Sequence, residues 1–556
     1  MKWSALVLAF VPLLAVAEPT KKPTVGKNGM VVCVSPLAAD VGVEILKQEG
    51  NAVDAAVAVA FAMAVTWPEA GNIGGGGFMM IGPPGQEPTC IEYRETAPAA
   101  ATVDLFADGK VNGFDHKASG VPGTVRGLAL AHKRFGKLPW KLVVMPAVKL
   151  AEQGFAINAV LAGGLNRILA DAKTTNAEFK RVYGKPGGER WKAGDKLVLA
   201  DLGRTLRAIA EKGPEAFYLG EPAELLAAEM KRGGGLITAD DLASYAARER
   251  KPIHTTYRGF DIYGAPPPSS GGIGLAEMLN ILECFELRKH DRWSPEVSHL
   301  LIESMKRAYC DRARHLGDPE FTTTIPDTLT SKDYAKKLAA GIDLNRATPS
   351  EKLAPDIALA PEGESTTHFS IIDRNGLAVS NTYTLENSYG SRVVVRGAGY
   401  ILNNQMTDFN PRPGITTRGG TIGTKPNLIA PGKRMLSCQS PTLVYKDGKP
   451  LLITGSPGGR TIINTVLCVV VNVVDFDMPV QEAVDAPRLH HQWFPDSVKF
   501  EGVKERADLV EKLRSKGHAI SGQRQGDAHT IWIDPKTGLY HGAADRRIDG
   551  KAAGVP

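Results

Sequence analysis

The residues most ready for chemistry are Ser365-Thr366-Thr367-His368, within the stretch GESTTHFSIID. A hydroxyl is a weak nucleophile unless a base sits beside it. Cutting the chain so that a threonine's own α-amine becomes that base is one solution. An α-amine with an ordinary pKa of about 7.7–8.0 suits general-base work near neutrality. Such chemistry needs a strand that begins at Thr, a hydroxyl at its first position and a disposable segment before it. Thr366 opens a β-type run. Residues 343–364, DLNRATPSEKLAPDIALAPEGE, are polar, contain proline and lack helical or strand periodicity, which reads as an exposed linker. The same residues also fit a plain β-run starting after a loop. A second signal is Gly458-Gly459 in TGSPGG. Two glycines just before an apparent helix leave backbone N–H groups free to face a developing oxyanion. An ordinary strand-to-helix turn has the same appearance.

The elements that must position these groups are legible on both sides. TTHFSIID and LAVSNTYTL flank Arg374-Asn375-Gly376, and Asn-Gly between β-runs predicts a hairpin. KPLLITG (449–455) reads as a further strand, feeding through SPGG into RTIINTVLCVVVNVVDF, whose length and glycine-rich entry favour a buried helix. Residues 37–50 and 51–66 read as two consecutive helices, the second nearly all apolar and ending before Pro68. GNIGGGGFMMIG (71–82) is a glycine-rich turn into a strand. It lacks the Lys-Ser/Thr of a phosphate loop and the spacing of a dinucleotide loop, which leaves tight backbone packing. MPAVKLAEQGFAI (145–157), YGAPPPSSGG (263–272) and MKRAYCDRARHLGDP (305–319) read as helix, rigid loop and helix. Helical runs interleaved with sheet-forming runs imply layers of both kinds.

Composition narrows the class. The 556 residues are 43% hydrophobic and 23% charged, which is ordinary for a globular chain. The formal charge of +6 is small, and no basic block or aromatic-basic stripe implies nucleic acid. Lys2, the apolar run from Ala5 to Ala17 and Ala15-Val16-Ala17 before Glu18 read as a secretory signal peptide (1–17), with no membrane span after its removal. The six cysteines, at 33, 90, 284, 310, 438 and 468, show no C-x-x-C and no zinc spacing. His490-His491 are adjacent and do not share a face, so hydrogen bonding is the expected role rather than metal binding. The absence of any N-x-[ST] sequon favours a bacterial envelope.

Ten motifs in fixed order then carry a resemblance: IGGGGFM, EYRETAP, SGVPGTVRG, PAVKLAEQGF, PPPSSGG, DRARHLGDP, TTHFSIID, NNQMTDF, TGSPGG and PRLHHQW. With them, residues 28–550 resemble the γ-glutamyltransferase (γ-glutamyl transpeptidase) family of N-terminal-nucleophile hydrolases. The resemblance implies an α/β (α+β) fold, an αββα four-layer sandwich. It implies a precursor that cleaves itself between Ser365 and Thr366 into a large piece (18–365, ending in the linker) and a small catalytic piece (366–556), held as one unit. The implied donors are glutathione and other γ-glutamyl compounds, the acceptors are water, amino acids or dipeptides, no cofactor or metal is used, and the location is secreted or periplasmic.

Residue by residue, Thr366 matches the nucleophile and Thr384 a threonine that hydrogen-bonds it. Gly458 and Gly459 match the oxyanion-hole pair. Arg94 matches the partner of the substrate α-carboxylate and Asp408 the acceptor for its α-ammonium, with Gln405 and Glu386 as supporting contacts. A zwitterionic head group is then expected to meet fixed cation and anion at opposite corners. Residues 410–434 resemble a lid loop over the pocket, with Gly419 about where some members have an aromatic. Glu386 stands where many members have Asn. In MLSCQSPT, Ser437 is kept and Cys438 replaces a second serine. No His or Lys in RMLSCQSPT would lower the thiol's pKa, and Arg434 is the one cation within that stretch. Two other readings are an acylase of the same fold acting on another amide, such as a glutaryl side chain, and a non-catalytic secreted binding protein.

Overall fold

The computed structural model describes residues 22–322, 325–354, 360–361 and 367–556. The signal segment 1–17 and the Ser365–Thr366 bond lie outside the described residues.

The predicted hairpin forms. Thr367–Asp373 pairs antiparallel with Ala378–Thr384, Thr367 opposite Tyr383 and Ile371 opposite Val379. Gly376, at φ 82°, supplies the left-handed backbone that the turn needs. Every residue of both strands is buried. That is possible because the hairpin lies in the middle of a seven-stranded sheet, in the order Lys551–Val555, Gly29–Cys33, Thr367–Asp373, Ala378–Thr384, Gly76–Gly82, Thr89–Glu92, Arg248–Arg250. A second seven-stranded sheet runs Thr24–Gly26, Tyr540–Ala544, His529–Ile533, Lys449–Thr454, Thr442–Lys446, Phe260–Gly264, Ile253–Tyr257. All pairings within both sheets are antiparallel.

One apolar cluster draws on both sheets, including Met30, Val32 and Phe78 from the first and Leu443, Ile453 and Ile531 from the second. A second joins the first sheet to the helices Pro36–Lys47 and Ala52–Thr66. The third joins the second sheet to Gly271–Leu282, Pro295–His315 and Ile462–Val474. Each fully buried Val, Leu or Ile in these layers contributes roughly 1.5–3 kcal/mol. The Ala52–Thr66 helix is buried on all sides, as an apolar-all-round sequence requires. Its start is fixed by a capping box in which Asn51 accepts from Asp54 N and Asp54 accepts from Asn51 N at 2.9 Å.

Three local readings change. The helix expected over 305–319 begins earlier, at Pro295, where Ser294 caps it. Its buried face carries Glu303, Lys306 and Arg307, with Glu303 and Arg307 paired at 2.7 Å, and these charges hide the apolar period in the sequence. The helix expected over 145–157 runs Trp140–Gln153 and stops at Gly154, φ 74°. Residues 343–354, exposed at most positions as their composition predicts, are nonetheless docked on the body at several points. Lys306 donates to Thr348 O at 2.8 Å, Thr348 N to Glu303 at 3.0 Å, and Ser350 N to Asp496 at 2.8 Å. Trp493 Nε1 donates to Ser350 O at 2.8 Å. Ala360–Pro361 pairs with Gly420–Thr421 of the expected lid loop. The rest of the segment, 355–359 and 362–366, lies outside the described residues. The six cysteines are free thiols.

Candidate active site

Thr367, the first described residue of its strand, leads to one end of the central hairpin, and Thr384 closes the neighbouring strand at that same end. Thr384 sits opposite Gly76, and its Oγ1 accepts from Glu386 N at 2.8 Å. Its carbonyl accepts from Asn72 Nδ2 at 3.0 Å. A Cβ on Gly75 would lie 2.0 Å from that carbonyl, so the glycine run is here for close backbone approach.

Beyond Thr384 the chain turns through Glu386, at φ 78°. Asn tolerates that region and Glu does so less well, which gives a physical reason for Asn as the commoner choice. The Glu386 carboxylate accepts from Gln405 Nε2 at 3.2 Å, and the same amide donates to Asp408 at 2.9 Å. Asp408 in turn pairs with Arg94 Nη2. Arg94 is fully buried and also donates through Nε to Met435 O at 3.2 Å and through Nη1 to Glu95 at 3.4 Å. Burial pushes the Glu95 carboxyl up to about 8, against the lowering pull of Arg94. At neutral pH Glu95 is therefore mostly uncharged, and Asp408 is the main countercharge to Arg94. The cation and anion expected at opposite corners are thus in direct contact. A buried guanidinium needs a carboxylate, and Asp408 supplies it.

Ser437 is held from the PPPSSGG segment: its N–H donates to Pro268 O at 2.8 Å, and its carbonyl accepts from Ser270 N at 2.8 Å and Ser270 Oγ at 2.6 Å. Next to it, Cys438 Sγ lies 3.2 Å from Arg312 Nη2. The thiol therefore does have a cation beside it, contrary to the reading of its local sequence. Arg312 comes from the DRARH segment and also donates to Ser270 Oγ at 3.0 Å. Arg460, directly after Gly459, donates to Gly420 O at 2.9 Å. Burial, with Arg312 adding to it, brings its pKa down to about 9, so it stays charged at neutral pH. Neither Arg312 nor Arg460 was singled out in the sequence. The signal for Arg312 was its place in a motif, and Arg460 had only its adjacency to the glycine pair.

The turn carrying Gly458 and Gly459 has φ 126° and 52° at the two positions. Among the described residues, neither N–H has a hydrogen-bond acceptor. Gly459, Thr384, Glu386, Arg94, Asp408 and Cys438 line one cavity of about 240 Å³, together with Ser437, Arg312 and Arg460. That is below the roughly 300–1,000 Å³ of drug-sized sites and suits a group of amino-acid size. Gln405 stands behind this wall, fully buried. Gly458 faces a second, larger groove instead. The expected lid loop closes part of the small cavity through Asn410 and Asn427, and Asn427 Nδ2 donates to Asp408 O at 2.7 Å. His490 and His491 are buried and hydrogen-bonded, to Asn464 at 2.7 Å and to Asp496 at 3.1 Å. Thr366, the expected nucleophile, lies outside the described residues.

Residues 38–555 match the family described as Gamma-glutamyltranspeptidase, and the chain belongs to that family. A glutathione hydrolase proenzyme of Escherichia coli (strain K12) is 45% identical over 547 residues, covering 97% of this chain and 94% of that protein. The acylase ACY 1 proenzyme of Pseudomonas sp. (strain V22) is 35% identical over 563 residues, covering 98% and 97%. Among solved structures, cephalosporin acylase from Bacillus halodurans superposes with a TM-score of 0.86 at 28% identity, covering 99% of this chain and all of that one.

Proposed function

We propose that the protein is a self-cleaving γ-glutamyltransferase with glutathione hydrolase activity. The observation that carries this reading is that Arg94, Asp408 and Glu386, linked through Gln405 behind them, line one wall of a small cavity that also reaches Gly459. A γ-glutamyl group brings a carboxylate and an ammonium together. The carboxylate takes Arg94, the ammonium takes Asp408 and Glu386, and each protein charge exchanges its present partner for one of the ligand's.

The γ-carbonyl then lies toward Gly458-Gly459, whose free N–H groups stabilise the oxyanion as the Thr366 hydroxyl attacks. The α-amine of Thr366, freed by cleavage after Ser365, takes the hydroxyl proton. The α-ammonium gives that proton to the leaving nitrogen as its bond to the γ-carbonyl carbon breaks, and water or an acceptor amine then bonds to that carbon while the Thr366 oxygen leaves and takes up the proton the nucleophile sheds. No cofactor or metal enters this scheme. In this reading the scaffold is the αββα sandwich of N-terminal-nucleophile hydrolases, and 18–365 and 366–556 are the two pieces of one heterodimer. The signal segment 1–17 directs the chain to the periplasm or medium. Among the described residues, no helix is long and apolar enough to cross a membrane.

The acylase reading draws on the likeness to two acylases. A glutaryl group has no ammonium and would offer Asp408 and Glu386 no charge of its own, which favours the γ-glutamyl substrate. Parallel assays on a γ-glutamyl and a glutaryl anilide decide the matter. The expected result is release from the first and little from the second; the reverse order would overturn the proposal.

A further inference from the structure

The turn that presents Gly458 and Gly459 is held from behind, through its carbonyls. Thr461 donates to Gly458 O from its N–H at 3.0 Å and from its hydroxyl at 2.8 Å. The N–H of Ile462 bonds to Gly459 O. The hydroxyl of Tyr309, on the Pro295–His315 helix, donates to Arg460 O. A trans peptide points its N–H away from its C=O, so a held Gly458 carbonyl also aims the N–H of Gly459.

Arg460 adds a tie that the backbone of the turn cannot make. Its side chain lines the same cavity of about 240 Å³ as Gly459 and donates through Nη1 to Gly420 O of the expected lid loop at 2.9 Å. Gly420 is at φ 109°, and a Cβ there would lie 2.8 Å from Phe494 O, so the loop is packed close against the body at the point where Arg460 grips it. One helical turn after Tyr309 comes Arg312, which lines the cavity too and reaches Cys438 and Ser270. Arg460 remains a cation at neutral pH in spite of that neighbour. Two guanidinium groups therefore stand at one cavity with the glycine turn between its wall and the lid loop.

Resting on the activity proposed above, we infer that Arg460 is the positioning residue of the oxyanion turn: it locks Gly459 to the expected lid loop and sets positive charge beside it. As the Thr366 oxygen bonds to the γ-carbonyl carbon, the C=O π pair moves onto the carbonyl oxygen. That oxygen is only partly negative in the bound amide and carries a full charge after attack. A fixed cation next to the turn thus gains most in the transition state, and it acts on attack more than on binding. The head group has its own partners in Arg94, Asp408 and Glu386, which leaves the donor's affinity to them.

The test uses self-cleaved protein and a γ-glutamyl anilide, with kcat and KM read separately and a melting curve beside them. Arg460→Met keeps the length and loses the charge and the bond to Gly420. Its kcat should fall on the order of ten- to a hundredfold, short of the roughly 10²–10³ of a direct oxyanion donor, with the anilide KM within about twofold of wild type. Arg460→Lys keeps the charge and should recover part of the kcat. Tyr309→Phe releases Arg460 O and should lower kcat by a smaller factor at the same KM. Wild-type kcat in Arg460→Met overturns the role, and so does a raised KM at unchanged kcat, which would put Arg460 on the head group. Equal losses in the Met and Lys variants together with a lowered melting temperature also overturn it, because that is damage to the fold. If Arg460→Met does not fold, Arg460→Lys carries the same reading: a lowered kcat at unchanged KM and melting temperature supports the role, and any other result overturns it. A wild-type protein that releases no anilide sinks the proposed activity first, and this role with it.

Discussion

At the residue scale, the proposed function turns on the Arg94–Asp408 contact. A γ-glutamyl substrate would have to break this half-buried ion pair and replace both halves, so under that proposal recognition depends on supplying both charges at once. Arg94→Ala leaves Asp408 without its partner and the bound carboxylate without its cation, a loss of about 2–5 kcal/mol in kcat/KM. Arg94→Lys keeps the charge and loses the planar fork, so it should recover only part. Steady-state kinetics on a γ-glutamyl anilide checks both, and wild-type kcat/KM for Arg94→Ala would refute the role. Cys438 is the second test. Its thiol faces Arg312 at 3.2 Å, and a thiol is a poorer hydrogen-bond donor than a hydroxyl. If it touches the carboxylate, Cys438→Ser should lower KM roughly two- to tenfold, the worth of one neutral hydrogen bond. Loss of all activity in self-cleaved Cys438→Ser would instead make the thiol a nucleophile, which its arginine neighbour makes a fair rival.

At the scale of elements, the site exists because two strand ends and two turns converge. The strand end at Thr384 is held by the backbone of Gly75, where a side chain would collide with the Thr384 carbonyl at 2.0 Å. Gly75→Ala should therefore push Thr384 away, cost at least the 1–3 kcal/mol or so typical of overpacking, and slow self-cleavage. A melting curve and a denaturing gel measure these together; a variant that melts and cleaves like wild type contradicts the packing argument. These elements were largely legible in the sequence. Asn375-Gly376 announced the hairpin, the apolar run after SPGG announced the Ile462–Val474 helix, and the glycine run announced close packing. What stayed hidden were contacts between distant segments. Arg312 meets Cys438 across 126 positions and Arg94 meets Asp408 across 314, so neither contact leaves a local pattern. The docking of residues 343–354 was hidden likewise, because its partners lie on the Pro295–His315 helix and at Trp493 and Asp496.

At the scale of the whole molecule, two sheets face each other over a core that contains titratable groups. His529 is fully buried, with neither ring nitrogen hydrogen-bonded among the described residues, and burial brings its pKa down to about 4. In the unfolded chain it titrates near 6.5. From about pH 6.5 down to 4 the unfolded chain binds a proton that the folded one refuses, so this histidine's effect on stability worsens as pH falls. Above 6.5 it is neutral in both states and has no such effect. Raised carboxyls such as Glu95 act in the opposite sense, so the difference between wild type and His529→Asn isolates the histidine. That difference should move in favour of the variant by about 1.4 kcal/mol per pH unit below 6.5. Urea unfolding at pH 7, 6 and 5 tests it, and a pH-independent difference contradicts it.

The sheet order also bears on maturation. The strands Thr367–Asp373 and Ala378–Thr384 lie between Gly29–Cys33 and Gly76–Gly82, so a cut before Thr367 leaves each piece hydrogen-bonded into the other. In the proposed function one threonine serves first as the agent of that cut and then as the catalyst. N-terminal sequencing of the smaller band from purified, active protein tests it most directly, with Thr366→Ala alongside. The expected result is two polypeptides that co-elute as one particle, the smaller beginning Thr-Thr-His-Phe, and a Thr366→Ala protein that remains a single inactive chain. A smaller band with a different first residue, or an active Thr366→Ala chain, would contradict it.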